Sequence, residues 1–161
     1  MTIPIHTSRF GPLTVAEDLI FTLPAGVIGF GGSTRFVVLD HFRPAPFKWL
    51  QSVDEPDLAF AIMDPTDLSC DYRITLTEED ARELRRDEGD EYAVFVILTV
   101  RSADVDGTTA NLRGPVIVNL RSRIGKQVVL AEDLPTRYPA FAPSCPSPIS
   151  APVAEGMAHA E

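Results

Sequence analysis

The stretch FKWLQSVDEPDLAFAIMDP, residues 47–65, gathers four carboxylates, Asp54, Glu55, Asp57 and Asp64, around the amide of Gln51. Carboxylates that work as acid and base need one member with a raised pKa and another kept ionised, on opposite sides of a cleft. Asp54, Glu55 and Asp57 crowd around Pro56, the composition of a solvated turn, and provide neither the asymmetry nor the cleft. Asp64, directly before Pro65, reads as a strand terminator. Gln51 shares a strand face with Phe47, Trp49 and Val53 and needs hydrogen-bond partners if it is buried. A satisfied core or rim amide is the plain reading, and a recognition pocket the sharper one. Asn111, in TTANLRGP, carries the same two readings, with a turn or edge role favoured. A small barrel hydrolase would need a cleft around a perturbed acid among Asp54, Asp64, Asp67 and Asp71. A ligand-sensing barrel would need an apolar cavity beside Gln51 or Trp49.

Metal and phosphate chemistry find little support. His6, His41 and His159 are scattered without HxH or HExxH spacing, and Cys70 and Cys145 form no CxxC pair, so no metal or cofactor is expected. The glycines of GVIGFGGSTRF could suggest a phosphate loop, but such a loop must open a helix, and TRFVVLD after it reads as a strand. A tight strand connection is the better reading.

The elements that must position these residues are mostly strands. Apolar residues alternate or run in short blocks bounded by Gly, Pro and Asp, which predicts strands at 12–15, 18–23, 34–40, 47–53, 58–63, 70–75, 92–101, 108–120 and 126–131. In YAVFVILTVR both alternating sets are apolar, so this strand should be covered on both faces and sit at the centre of the core. VIVNLRSRIGKQVVL reads as two strands joined at SRIGK, with Gly125 supplying a positive φ. One surface helix is expected at about 77–88, from Thr77 as N-cap through an acidic first turn to Gly89 as terminator. Residues 47–53 and 58–63 are expected to form a hairpin with an acidic tip, in which Leu58, Phe60 and Ile62 can face the set that contains Trp49 and Gln51, in a register that the pattern fixes only to within one residue. The fold expected is therefore mostly β, a small antiparallel barrel or strongly bent sheet, over residues 1–141. Residues 142–161, rich in Ala, Pro and Ser and without Lys, Arg, Phe, Tyr or Trp, read as a disordered tail.

Composition narrows the function. Fourteen basic against 23 acidic residues give a net charge of −9, and residues 1–141 alone carry −7. Such a chain repels phosphate backbones and anionic membranes, so a basic protein partner is favoured and direct nucleic-acid or membrane binding is not. The start, MTIPIHTSRF, lacks the layout of a signal peptide, which predicts a cytoplasmic protein.

Four blocks in order, FGPLTVAEDLIFTLPAGVIGF, FKWLQSVDEPDLAFAIMDP, TTANLRGPVIVN and GKQVVL, resemble the flagellar assembly factor FliW family over about residues 9–140. Gly31 stands where an acidic residue is expected, and RYPAF is a loose version of the family's close. The resemblance implies a barrel-like protein without catalytic activity, monomeric when free, with two partners. These are flagellin and a CsrA-type RNA-binding repressor of flagellin synthesis. On that reading the basic repressor would meet Asp54, Glu55 and Asp57, with Asp64 and Asp67 in support and Gln51 and Asn111 as further candidates.

Overall fold

The structure, a computed structural model, describes residues 1–40, 47–68, 72, 74–101, 104–130 and 133–140. Its ten strands are β1 (Thr2–Thr7), β2 (Gly11–Ala16), β3 (Phe21–Thr22), β4 (Arg35–Asp40), β5 (Lys48–Ser52), β6 (Ala59–Met63), β7 (Tyr92–Arg101), β8 (Asp104–Asn119), β9 (Ile124–Gln127) and β10 (Tyr138–Pro139). Strands β8-β7-β6-β5-β4-β3-β9 run in that order and β9 pairs back onto β8, so seven strands close into a barrel, with β10 added outside on β8. Every link is antiparallel except the seam, where β3 and β9 lie parallel through Thr22 and Ile124. Closure removes the unpaired edges that an open sheet would expose.

Each strand divides its side chains between two apolar layers. Phe21, Phe36, Leu50, Ile62, Val116 and Val118, joined by Val38, Phe60, Phe95 and Ile97, come from six of the seven barrel strands and fill the lumen. The seventh, β9, contributes Gly125, where a Cβ would lie 3.0 Å from Val118 and 3.2 Å from Leu23, so the glycine lets these two side chains pack closely beside the seam. The alternate residues face outward into a second layer, in which Trp49, Ala61, Met63, Tyr92, Val94, Val96 and Leu98 lie under the helix and the chain that follows β9. The β1–β2 hairpin covers the outside of β4, with Ile5 and Val15 packed on Val37. The two-sided cover expected for β7 holds in part: Tyr92, Val94, Val96 and Leu98 are buried on one face and Phe95 and Ile97 half-buried on the other, while Thr99 and Val100 are exposed.

The chain departs from the sequence expectations in ways with physical causes. The β5–β6 register places Trp49 opposite Ala61 and Gln51 opposite Ala59. Trp49 and Gln51 therefore share a face with the alanines, while Leu58, Phe60 and Ile62 belong with Leu50, the other of the two registers that the sequence pattern allows. The helix α1 (Glu78–Glu83) starts as expected, with the Thr77 hydroxyl accepting from the Asp80 N–H at 3.0 Å, but ends well short of Gly89. It stops because Arg85 takes the left-handed conformation at φ 56° and the Arg86 N–H returns to the Ala81 carbonyl. Asn119 Nδ2 and Ser122 Oγ then donate to the Leu84 carbonyl at 2.9 and 3.1 Å, so the helix end is capped by the β8–β9 turn.

That turn owes its positive φ to Arg123, at 59°, and not to Gly125. The strand expected at 18–23 is a 3-10 turn at Glu17–Leu19 followed by the two residues of β3. At 70–75, Tyr72, Ile74 and Thr75 are irregular and the other positions lie outside the described residues. β9 begins two residues earlier than expected, and β1 and β10 have no counterpart in the sequence reading. His41, Asp71, both cysteines and the segment 142–161 also lie outside the described residues.

Two measurements check this packing. Trp49 is buried, meets Phe47 edge to face and carries the Arg9 guanidinium 3.8 Å above its ring. Trp49→Ala is expected to lower unfolding free energy by about 3–5 kcal/mol in denaturant titrations. Asp90 is only 3% exposed, and the Arg121 guanidinium, with help from Asn119, holds its carboxyl down at about 2. A depressed carboxyl stabilises the fold above its ordinary pKa and loses that contribution as pH falls toward 2. The stability of Asp90→Asn relative to the native chain should therefore rise steadily from pH 4 to about pH 2.

Candidate functional site

The strand registers define two ends of the barrel. Ser52, Ala59, Arg35 and Gln127 lie at one, with the 53–58 turn and the loop between β3 and β4. Asp40, Lys48, Tyr92, Asn119 and Leu120 lie at the other.

The acidic turn stands at the first end, and its backbone is fixed from inside by Gln51. This side chain is fully buried, and its Nε2 points at the carbonyls of Ser52, Glu55, Pro56 and Leu58 at 3.0, 3.4, 3.3 and 3.2 Å. The two N–H bonds of this NH2 group are shared among the inward carbonyls of the turn, which fixes the amide orientation because an oxygen there would face four acceptors. Gln51 Oε1, on the opposite side of the amide, is buried and has no hydrogen-bond partner among the described residues. Ser52 completes the scaffold: its hydroxyl accepts from the N–H groups of Asp54 and Glu55 at 3.2 and 3.0 Å.

The three tip acids are exposed, yet each is tied to a different part of the chain. Asp54 takes the Arg35 guanidinium through both oxygens, and this hydrogen bond is the main reason its carboxyl lies below the usual range. Glu55 accepts from Ser33, whose hydroxyl also lies 3.1 Å from that of Ser52. Asp57 accepts from the Ser8 hydroxyl, while the Ser8 N–H donates to the Pro56 carbonyl at 2.9 Å. The tip is therefore a junction where the β1–β2 hairpin, the β3–β4 loop and β4 meet, and not the free solvated turn that the sequence suggested. Of its three carboxylates, only Asp54 has a cationic partner among the described residues.

The other sequence candidates have local duties. Asp64 caps the 3-10 turn at Pro65–Asp67, accepting from the Thr66 N–H and hydroxyl at 2.9 and 2.7 Å. Asp67, at the end of that turn, is exposed. Both follow the far end of β6, a strand's length from the tip. Asn111 Oδ1 accepts from the N–H groups of Arg113 and Gly114 at 3.0 and 3.1 Å and shapes the bulge in β8 opposite Phe95–Ile97.

Gln127, which the sequence reading passed over, links that bulge to the glycine loop. Its Nε2 donates to the Gly114 carbonyl at 2.9 Å and its Oε1 accepts from the Ile28 N–H at 2.8 Å. An alternating polar position inside a short strand was its only signal. Ser8, Ser33 and Arg35 were equally silent, because they reach the tip through the fold and not through spacing.

A cavity of about 200 Å³ lies beside Gln51, lined by Ser8, Arg9, Pro56, Asp57 and Ala59. It contains one acid, already engaged by Ser8, and so lacks an acid pair for hydrolysis. The more apolar cavity, about 180 Å³ between Leu19, Phe95, Leu120 and Arg123, is at the opposite end and touches neither Gln51 nor Trp49. No helix of the described residues is long and apolar enough to cross a membrane.

The closed seven-stranded barrel is a fold shared with a flagellar assembly factor. The crystal structure of the flagellar assembly factor FliW superposes with a TM-score of 0.79 at 33% identity, covering 87% of this chain and 98% of that one. The chain belongs to the FliW family, whose sequence model, described as "FliW protein", matches residues 4–140. It is 38% identical over 138 residues to the flagellar assembly factor FliW of Natranaerobius thermophilus, covering 85% of this chain and 91% of that protein. The FliW of Geobacter sulfurreducens is 39% identical over 138 residues, 85% of this chain and 86% of its own length.

Gln51→Glu is expected to set an acceptor-only carboxylate against the four turn carbonyls. Burial and those carbonyls would raise its pKa above the unfolded value, so the variant should lose stability as pH rises through the carboxylate range. Chemical unfolding at pH 4 and pH 7 should show a deficit that grows by several kcal/mol toward pH 7, whereas Gln51→Ala should show one of about 1–3 kcal/mol at both.

Proposed function

We propose that this protein is a flagellar assembly factor acting in the cytoplasm as a non-catalytic partner switch. It binds flagellin, and when free of flagellin it binds a CsrA-type repressor and relieves repression of flagellin synthesis. Membership of the FliW family supports the flagellar role. The observation that carries the partner assignment is the acidic tip, in which Glu55 and Asp57 are exposed, fixed in place and without a cationic partner among the described residues. An RNA-binding repressor presents a basic surface. Acids held toward it speed encounter, and they also oppose the approach of RNA phosphates to the same surface. The overall charge of −9 acts in the same direction at longer range.

The test is a titration of labelled protein with purified repressor, with flagellin and with both. Mutual exclusion is expected, and simultaneous saturation by both partners would contradict the switch. The triple variant Asp54→Asn, Glu55→Gln, Asp57→Asn removes the charge while leaving oxygen acceptors for Arg35, Ser33 and Ser8. Its association rate with the repressor should fall about tenfold at low salt and converge on the native rate as salt rises. The corresponding Lys variant should be slower still. Rates that do not change would place the repressor contact elsewhere.

A further inference from the structure

The loop between β3 and β4 combines tight internal restraint with outward apolar side chains. Gly26, at φ 70°, leaves no room for a Cβ, which would lie 2.6 Å from the Phe30 carbonyl oxygen and 2.8 Å from Gly31 Cα. The Gly26 N–H donates to the Leu23 carbonyl at 2.8 Å, the Phe30 N–H to Val27 at 2.7 Å, and the Ile28 N–H to Gln127 Oε1 at 2.8 Å. Val27 points inward and is buried, but Ile28 is 61% and Phe30 46% exposed. A loop held this way cannot fold its apolar residues back under cover. Phe30 meets Phe60 edge to face at 5.2 Å, and Phe60 leans on the fully buried Phe36, so the exposed ring stands on the lumen core. Ser33, in the same loop, holds Glu55 of the acidic tip, which makes the knob and the acids one continuous edge.

A second exposed apolar lip, Leu19 and Leu120, occurs at the opposite end of the barrel, beside the Arg123 guanidinium. Exposed acids stand beside both, Glu17 and Asp18 next to Leu19 and the tip acids next to the knob, but the Leu19–Leu120 lip surrounds the Arg123 guanidinium, whereas the loop that carries the knob is joined to Glu55 of the acidic tip through Ser33.

We infer that Ile28 and Phe30 form a preset docking knob for the basic partner, seated in an apolar hollow of that partner flanked by Lys or Arg residues that meet Glu55 and Asp57. This assignment rests on the partner-switch reading and gives it an anchor. The acids govern encounter, and the knob governs residence. A knob already in its bound shape loses little side-chain and backbone freedom on docking, and a central apolar anchor sets the dissociation rate more than the association rate.

The experiment measures association and dissociation of the full chain with purified CsrA-type repressor and with flagellin. The native chain is compared with Ile28→Ser and Leu19→Ser, with thermal unfolding as the fold check. Ile28→Gln serves as the second variant should Ile28→Ser unfold. The expected result is that Ile28→Ser dissociates from the repressor about tenfold faster or more, with no recovery or further loss as salt is raised, while Leu19→Ser behaves as native. Unchanged repressor kinetics in Ile28→Ser overturn the assignment, as does a loss confined to flagellin. A loss in Leu19→Ser alone places the contact at the other end and overturns it as well. If the native chain binds neither partner, the partner-switch reading fails first and the knob assignment falls with it. Native binding that survives Ile28→Ser refutes the knob alone.

Discussion

The barrel depends on one short seam. Six of its seven pairings are antiparallel and follow from hairpins or connections that the chain makes readily. The seventh joins β3 to β9 across about a hundred residues, through the Thr22 N–H donating to the Arg123 carbonyl at 2.9 Å and a single paired position. Chain entropy opposes so distant a contact. What offsets it is the apolar lumen, in which Phe21, Phe36, Leu50, Ile62 and Val118 are buried against one another only if the ring is shut. Arg123 takes the left-handed conformation to turn the chain into β9, Gly125 allows the close approach, and Leu23 and Val118 pack over it.

Closure also fixes the edge that carries the acidic tip. With β3 held against β9, the loop that follows β3 lies within reach of Gln127, and Gln127 in turn holds the Gly114 carbonyl in the β8 bulge that Asn111 shapes. On the other side of that loop Ser33 meets Glu55. The tip, the knob and the bulge thus share one polar framework, and the links that join one to another, Ile28 to Gln127, Gln127 to Gly114 and Ser33 to Glu55, are distant in sequence. The rigidity of the edge is inherited from the barrel, which is why a surface composed of turn residues can present acids and apolar groups in a fixed arrangement. The opposite end, where Asp90, Asn119 and Arg121 cap the helix, uses its buried charge to hold α1 in place.

Much of this was legible in the chain. Alternation located most strands, the doubled apolar pattern of β7 foretold its cover on both faces from Tyr92 to Leu98, and Thr77 marked the helix start. The register of β5 on β6 was not legible for the same reason that β7 was: both faces are apolar. Leu50, Leu58, Phe60 and Ile62 make as good a core as Trp49, Ala61 and Met63, so period two carries no preference between pairings that differ by one residue. The helix end was missed because its terminator is Arg85, captured through neighbouring carbonyls by Asn119, Arg121 and Ser122, residues that sequence spacing cannot bring near. The β1 strand was missed because TIPIHT mixes polar residues and a proline into its alternation and gains its apolar contact only once β4 lies beneath it. At the site, the acids were visible and their restraint was not. Spacing showed Asp54, Glu55 and Asp57 around a proline, but Gln51's grip on four carbonyls and the distant Ser8, Ser33 and Arg35 exist only in the fold.

The edge that carries the acidic tip and the Ile28–Phe30 knob is as ordered as the barrel that supports it. Amide hydrogen exchange of the native chain tests this at named positions: Thr22 at the seam, Ile28 in the glycine loop, and Ser52, Val53 and Leu58 around the tip, whose N–H groups donate to Arg123, Gln127, Leu58, Arg35 and Glu55 respectively. The account predicts that these five exchange slowly and together with the amides of β5 and β6, opening only when the barrel opens. Exchange of Ile28 and Leu58 at free-loop rates, while β5 and β6 stay protected, would contradict it.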